Sequence, residues 1–163
     1  MSDLYAAGAY AANDEFAVSP LGWHDETSIT RLASGGFIIA YSNQSGVHAR
    51  IFDRDGSATA DELFLTPGGS QPTVMALASG GFMLSWSDFD NVYARVFDAS
   101  GSPVGEEFLL NESGLGNRQQ PSLASLSDGG FVACWTDGSE PGGIKGQIFD
   151  ATGQKGGGEI VVS

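Results

Sequence analysis

This chain of 163 residues has one cysteine, six prolines, two histidines and only seven basic residues. A lone thiol, Cys134, cannot form an internal disulfide, so no disulfide framework holds the fold. It sits in an apolar run, Phe131 to Trp135, without a nearby His or cation, and reads as a buried small hydrophobe, not a nucleophile. Seven Lys and Arg, without a cluster, cannot neutralise a row of phosphates, which excludes contiguous nucleic-acid binding. No apolar run reaches the length of a membrane span, so no membrane insertion is expected. Met1 to Asn13 lacks a basic start and a long apolar core, so no Sec signal peptide is read there. His24 and His48 are the only histidines, and their spacing does not suggest zinc. No Gly-x-Ser-x-Gly elbow with supporting context and no distinct carboxylate pair stands out, so no catalytic residue is assigned.

What the chain does have is glycine and acid. There are 24 Gly, 20 Asp and Glu, and a net charge of −13. The glycine suits many tight turns between short strands. The acidity fits either solubility in a salty or extracellular setting or divalent-cation binding by turn carboxylates. A hydrophobic content of 41% is ordinary for a globular domain and argues against disorder.

One phrase is written three times: Gly-Gly-Phe, an aromatic four residues after the Phe, then Phe-Asp. The copies are Gly35-Gly36-Phe37 with Tyr41 and Phe52-Asp53, Gly80-Gly81-Phe82 with Trp86 and Phe97-Asp98, and Gly129-Gly130-Phe131 with Trp135 and Phe149-Asp150. An internal period of about 45 to 52 residues marks a repeat architecture. Each repeat breaks into four short strands punctuated by Gly and Pro, giving about thirteen strands in all. A Glu-led strand occurs once more than the others, at Glu15, Glu62, Glu107 and Glu159. Both faces of the strands carry apolar groups, as in stacked propeller blades. A small residue recurs at Ala49, Ala94 and Gly146, where something bulky from a neighbour is expected to pack.

These patterns predict an all-β fold of three tandem four-stranded repeats, propeller-like, completed as a six-bladed ring by dimerisation. A closed pseudo-threefold β-trefoil or β-prism is the alternative. Residues 1–14 read as an N-terminal extension, with a short helical turn over Leu4 to Ala12. Residues 15–163 read as a single repeat domain, with repeats at 15–61, 62–106 and 107–158 and a closing strand at 159–163.

The wording of the repeat, Pro121 to Trp135 followed by Gly146-Gln147-Ile148-Phe149-Asp150 and Gly153, resembles repeats of very large secreted bacterial proteins of the RTX or adhesin type. Glu107-Phe108-Leu109-Leu110-Asn111 belongs to the same phrase. The resemblance covers Glu15 to Ser163. It implies a propeller-like blade and a secreted, extracellular location, and it implies no catalytic residue. The nonapeptide calcium repeat of RTX proteins is absent.

Candidate sites follow from matched positions. Tyr41, Trp86 and Trp135 can offer sugar-stacking faces beside the polar loop groups Asp88, Asp90, Asn91 and Asp137, or they can pack between blades. Arg50, Arg95 and Gln147 match one another and can line a ligand strip or satisfy Asp53, Asp98 and Asp150. Asp53-Arg54-Asp55-Gly56 has the spacing of a calcium-loop start, which makes Asp53 and Asp55 the metal candidates, with a plain β-turn as the competing reading. The expectation from sequence is a non-enzymatic extracellular module that binds carbohydrate or mediates adhesion. A structural self-assembling repeat protein and a calcium-binding module are the alternatives. The expected partners are a second copy of the chain (a homodimer or higher homo-oligomer) and a glycan. Calcium is the one cofactor considered.

Overall fold

The computed structural model describes residues 16–19, 23–112, 116–139 and 141–162. The extension at 1–14, its helical turn and Glu15 lie outside the described residues. Twelve strands form three four-stranded antiparallel sheets, and no helix occurs among the described residues. The first sheet holds β1 (His24–Arg31), β2 (Phe37–Asn43), β3 (Gly46–Phe52) and β4 (Leu63–Pro67) in that order. The second holds β5 (Ser70–Ala76), β6 (Phe82–Ser87), β7 (Val92–Phe97) and β8 (Phe108–Leu109). The third holds β9 (Arg118–Ser125), β10 (Phe131–Asp137), β11 (Gly143–Phe149) and β12 (Ile160–Val161). The Glu-led segments at Glu62, Glu107 and Glu159 therefore lead into the outer strand of the sheet that precedes the next repeat.

The repeated phrase has a steric cause. The first glycine of each pair takes a left-handed φ, +94° at Gly35, +97° at Gly80 and +89° at Gly129, to turn the chain between the first two strands. The second glycine lies against the third strand of its own sheet. A Cβ on Gly36 or Gly81 would stand 2.2 Å from the carbonyl oxygen of Phe52 or Phe97, and one on Gly130 would stand 2.4 Å from that of Phe149. The two Phe of each phrase are then cross-strand partners. Phe37 stacks on Phe52 at 5.2 Å, Phe82 on Phe97 at 5.2 Å and Phe131 on Phe149 at 4.5 Å between ring centroids. The Asp that follows closes the next turn. Asp53, Asp98 and Asp150 each accept backbone N–H groups from two and four residues on, at 2.8–3.0 Å.

Consecutive sheets pack face to face. Ile38, Ala40, Ala49 and Ile51 of the first sheet meet Val74, Phe82, Leu84 and Phe97 of the second in one buried cluster. Met75, Met83, Val92 and Ala94 of the second meet Phe131, Ala133, Trp135 and Phe149 of the third in another. The small residues Ala49 and Ala94 lie within these clusters, where rings of the next sheet cover them. A fully buried Phe or Leu at such a contact stabilises the fold by about 1.5–3 kcal/mol. A β-trefoil or β-prism brings the third repeat against the first around one shared core. Among the described residues there are two cores, so the closed threefold alternative is corrected to an open stack of three sheets.

The stack has an axis. β1, β5 and β9 are the inner strands and lie next to one another. Their exit ends, at Arg31, Ala76 and Ser125, surround a hollow of about 430 Å³.

Candidate functional site

At the opposite end, each inner strand enters its sheet through a bulge. The register shifts between Asp25 and Thr27, between Ser70 and Thr73, and opposite Cys134 to Thr136. The bulged residues are Glu26, Gln71 and Gln120, with φ of +45°, +55° and +55°. None is glycine, so each holds a backbone geometry that costs energy unless its surroundings impose it. The surroundings do so here. The Gln71 N–H donates to Glu26 Oε2 at 2.6 Å, and the Gln120 N–H donates to Gln71 Oε1 at 2.7 Å. A row of one carboxylate and two amides thus runs along the entry end of the axis. The sequence reading missed it. The signal was present as Gln71-Pro72 and Gln120-Pro121, a dipeptide repeated at the same place in the phrase.

The loops beside this row carry a polar network between the second and third sheets. The Arg118 N–H donates to the Phe89 carbonyl at 2.8 Å, and Arg118 Nη1 donates to the Asp90 carbonyl at 2.7 Å. Ser87 Oγ donates to the Arg118 carbonyl. Buried Asp137 takes Lys145 Nζ at 2.7 Å on Oδ2, with Arg118 Nε 3.5 Å from the same oxygen. Burial alone would raise the Asp137 carboxyl, but hydrogen bonds from Lys145 and Ser139 outweigh it and hold the group at about 2. Lys145 is correspondingly raised by Asp137, with Glu159 adding to it. Asn111 is buried and joins the two sheets. Its Oδ1 accepts the Val92 N–H at 2.8 Å, its Nδ2 donates to Asn91 Oδ1 at 3.0 Å, and its carbonyl accepts Lys155 Nζ at 2.7 Å.

The predicted residues fall into four groups. Asp88, Asp90, Asn91 and Asp137 are brought together in or beside this network. Asp88 Oδ1 caps its own loop by accepting the N–H groups of Asp90 and Asn91 at 3.1 and 2.8 Å. Tyr41, Trp86 and Trp135 are buried at matched places on the sheet faces. Trp86 stacks on Tyr93, and Tyr41 stacks on His48. Arg50, Arg95 and Gln147 hold backbone carbonyls, of Val18 at 3.2 Å, Gly105 at 3.1 Å and Gly157 at 3.0 Å. Asp53 serves its turn, and Asp55 pairs with Arg54 at 3.5 Å. Among the described residues no three His, Cys, Asp or Glu side chains gather as a metal site would require.

Two aromatics that the sequence reading passed over are exposed at the entry end. Trp23, one residue before β1, is 84% exposed, and Phe89 is 61% exposed. Phe89 holds φ +82°, a strained value for an aromatic residue, and its loop is pinned by its N–H on Ser87 Oγ and its carbonyl on Arg118. Exposed rings beside Asp25, Glu26, Asp88 and Asp90 make this end both acidic and aromatic.

No family model and no curated protein matches the chain. Solved structures do. An α-L-arabinofuranosidase from Fusarium graminearum, with an iminosugar inhibitor bound, matches at TM-score 0.61 and 11% identity, over 83% of this chain and 47% of that one. An endo-arabinase from Bacteroides thetaiotaomicron matches at 0.54 and 15%, over 78% and 56%. A GH43 protein from Bacillus licheniformis matches at 0.54 and 13%, over 76% and 27%. This chain therefore spans from about a quarter to just over half of those proteins. The likeness establishes a propeller-like all-β fold. It also corrects the expectation of a non-enzymatic module, whether glycan-binding, structural or calcium-binding, because the matched structures named above are glycoside hydrolases.

Proposed function

We propose that this chain forms the blades of a carbohydrate-active hydrolase that cleaves glycosidic bonds in a polysaccharide. The observation that carries the reading is the axial row, in which Glu26 is fixed by the Gln71 N–H at the entry end of the innermost strands. Glycosidic cleavage uses one carboxyl group to protonate the leaving oxygen and a second to activate water or attack the sugar. Glu26 and the neighbouring Asp25 supply carboxylates at this place, and Gln71 and Gln120 supply amides that donate to and accept from sugar hydroxyls. Trp23 and Phe89 supply exposed apolar rings against which a sugar face stacks. The buried Asp137, held ionised by Lys145, keeps the neighbouring loops in register. A polymeric substrate fits the secreted location that the repeat phrase suggests.

The test is reducing-sugar release from arabinan, xylan and galactan by the full chain. Hydrolysis of at least one is expected. Glu26→Gln should lower the rate by about 10²–10⁴-fold, the usual size of a lost acid or base. Phe89→Ala should raise KM with the fold intact. No release from any of the three overturns the reading.

A further inference from the structure

The two ends of the stack are the two halves of one interface. Between sheets, the outgoing face of one meets the incoming face of the next, and the residues on those faces are buried. On the outgoing faces of the first and second sheets, Val47 and Val92 are buried, as are Ile38 and Met83. The outgoing face of the third sheet has the same composition and no cover. Ile144, at the place of Val47 and Val92, is 42% exposed, and Ile148, at the place of Ile51 and Val96, is 39% exposed. Ile160, at the place of Leu63 and Phe108, is 45% exposed. The incoming face of the first sheet is open along its inner strand, while Tyr41 and Phe52 farther out on the same face are buried, with His24 and Phe16 packed on them. Val74 is buried and Leu123 packs against the second core, whereas Ile29, at their place, is 64% exposed.

The hydrogen-bond row ends in the same manner. Glu26 accepts from the second sheet and Gln71 accepts from the third. Gln120 carries the same acceptor forward, where no sheet of this chain follows among the described residues. Glu26 offers the matching bulge N–H, and no sheet precedes it among the described residues. Each end thus lacks what the other presents. We propose that a second copy of this chain closes a six-sheet ring, with the third sheet of each copy packed on the first sheet of the other, and Gln120 Oε1 of one accepting the Glu26 N–H of the other. The contact repeats the interface that already joins the sheets within the chain, and it is closed by a twofold axis. The matched 83% of this chain covers 47% of the arabinofuranosidase chain, so two copies together have about the size of that solved structure.

Phe16 makes the proposal specific. It packs on Phe52 at 5.4 Å, as Phe108 of the second sheet packs on Phe149 of the third at 6.2 Å. In the ring, Ile160 of one copy and Phe16 of the other claim the same place, so one of the two yields. The inference does not depend on hydrolysis, and a dimer without hydrolysis would remove the functional reading alone.

The experiment is native mass spectrometry and light scattering on the full chain at micromolar concentration. A dimer is expected. Ile148→Asp, on a partly exposed face, should weaken the dimer about tenfold or more with an unchanged circular dichroism spectrum. Phe16→Ala should leave the dimer intact or tighten it, because Ile160 then has no rival. A monomer, an open series of larger species, or a dimer indifferent to Ile148→Asp overturns the proposal.

Discussion

Lys145 Nζ lies 2.7 Å from Asp137 Oδ2, inside the network that joins the entry loops of the second and third sheets. The same place in the other sheets holds a different donor. Tyr93 is raised by burial and by Asp88 in the second sheet, and in the first sheet His48 faces Asn43 at 3.2 Å and Glu62 at 3.4 Å. In each sheet the position places a polar side chain beside two acceptors, and its identity and charge change from sheet to sheet.

The ion pair sets an acid limit on the fold. Asp137 sits at about 2 when folded, against 3.8 in the unfolded chain. Its contribution is present above pH 4 and is lost as pH falls from about 4 to about 2, amounting to about 2 kcal/mol. Lys145, raised above 10.5, contributes fully below that pH and loses its contribution at higher pH. Urea midpoints measured from pH 2 to 5 should show this slope, and Asp137→Asn should flatten it.

His48 sets a weaker limit with a different window. Burial, and His24 near it, push its imidazole below the ordinary 6.5. The unfolded chain binds a proton there before the folded one does, so this contribution is complete above pH 6.5 and declines as pH falls below it. Melting temperatures between pH 5.5 and 7.5 should fall toward acid, and His48→Gln should reduce that fall.

The glycine pair separates two kinds of backbone demand. Gly80→Ala meets an empty space and costs the left-handed φ alone, about 1 kcal/mol. Gly81→Ala drives a Cβ to 2.2 Å from the Phe97 carbonyl oxygen, so the hairpin must open and the loss should exceed that of Gly80→Ala. Paired denaturation curves give the ordering, and equal losses would contradict it.

Tryptophan position separates stability from binding. Trp135 is buried in the second core, and Trp135→Ala should cost about 3–5 kcal/mol. Trp23 and Phe89 are exposed, so Trp23→Ala and Phe89→Ala should leave the unfolding midpoint nearly unchanged while weakening sugar binding, read by calorimetry with arabinan oligosaccharides.

The repeat phrase made the sheets legible because its residues act within one sheet. Gly36 approaches Phe52, Phe37 stacks on Phe52, and Asp53 closes the turn beyond, all inside a short stretch of chain. The axial row was not legible in the same way. Glu26 and Gln71 are 45 residues apart in sequence, and their link depends on how two sheets stack, which no local pattern states. The matched tryptophans were visible, but whether Trp135 faced solvent or the second sheet depended on that same stacking. Phe89 was hidden for a third reason, since its strained φ is imposed by Arg118 from the next sheet.

The bulges at Gln71 and Gln120 each lean on a side chain of the sheet before, never on one of the sheet after. Such a chain of dependence has a direction, and a polypeptide emerging amino end first settles its units in the order in which they can be supported. Cutting the molecule between β4 and β5 and rejoining the original termini would leave the hydrogen bond from Gln71 to Glu26 to form without a direct backbone connection between their sheets, while sparing that connection for Gln71 and Gln120. The rearranged protein would therefore lose order first at Gln71, at the newly made beginning, and keep it longest at Gln120.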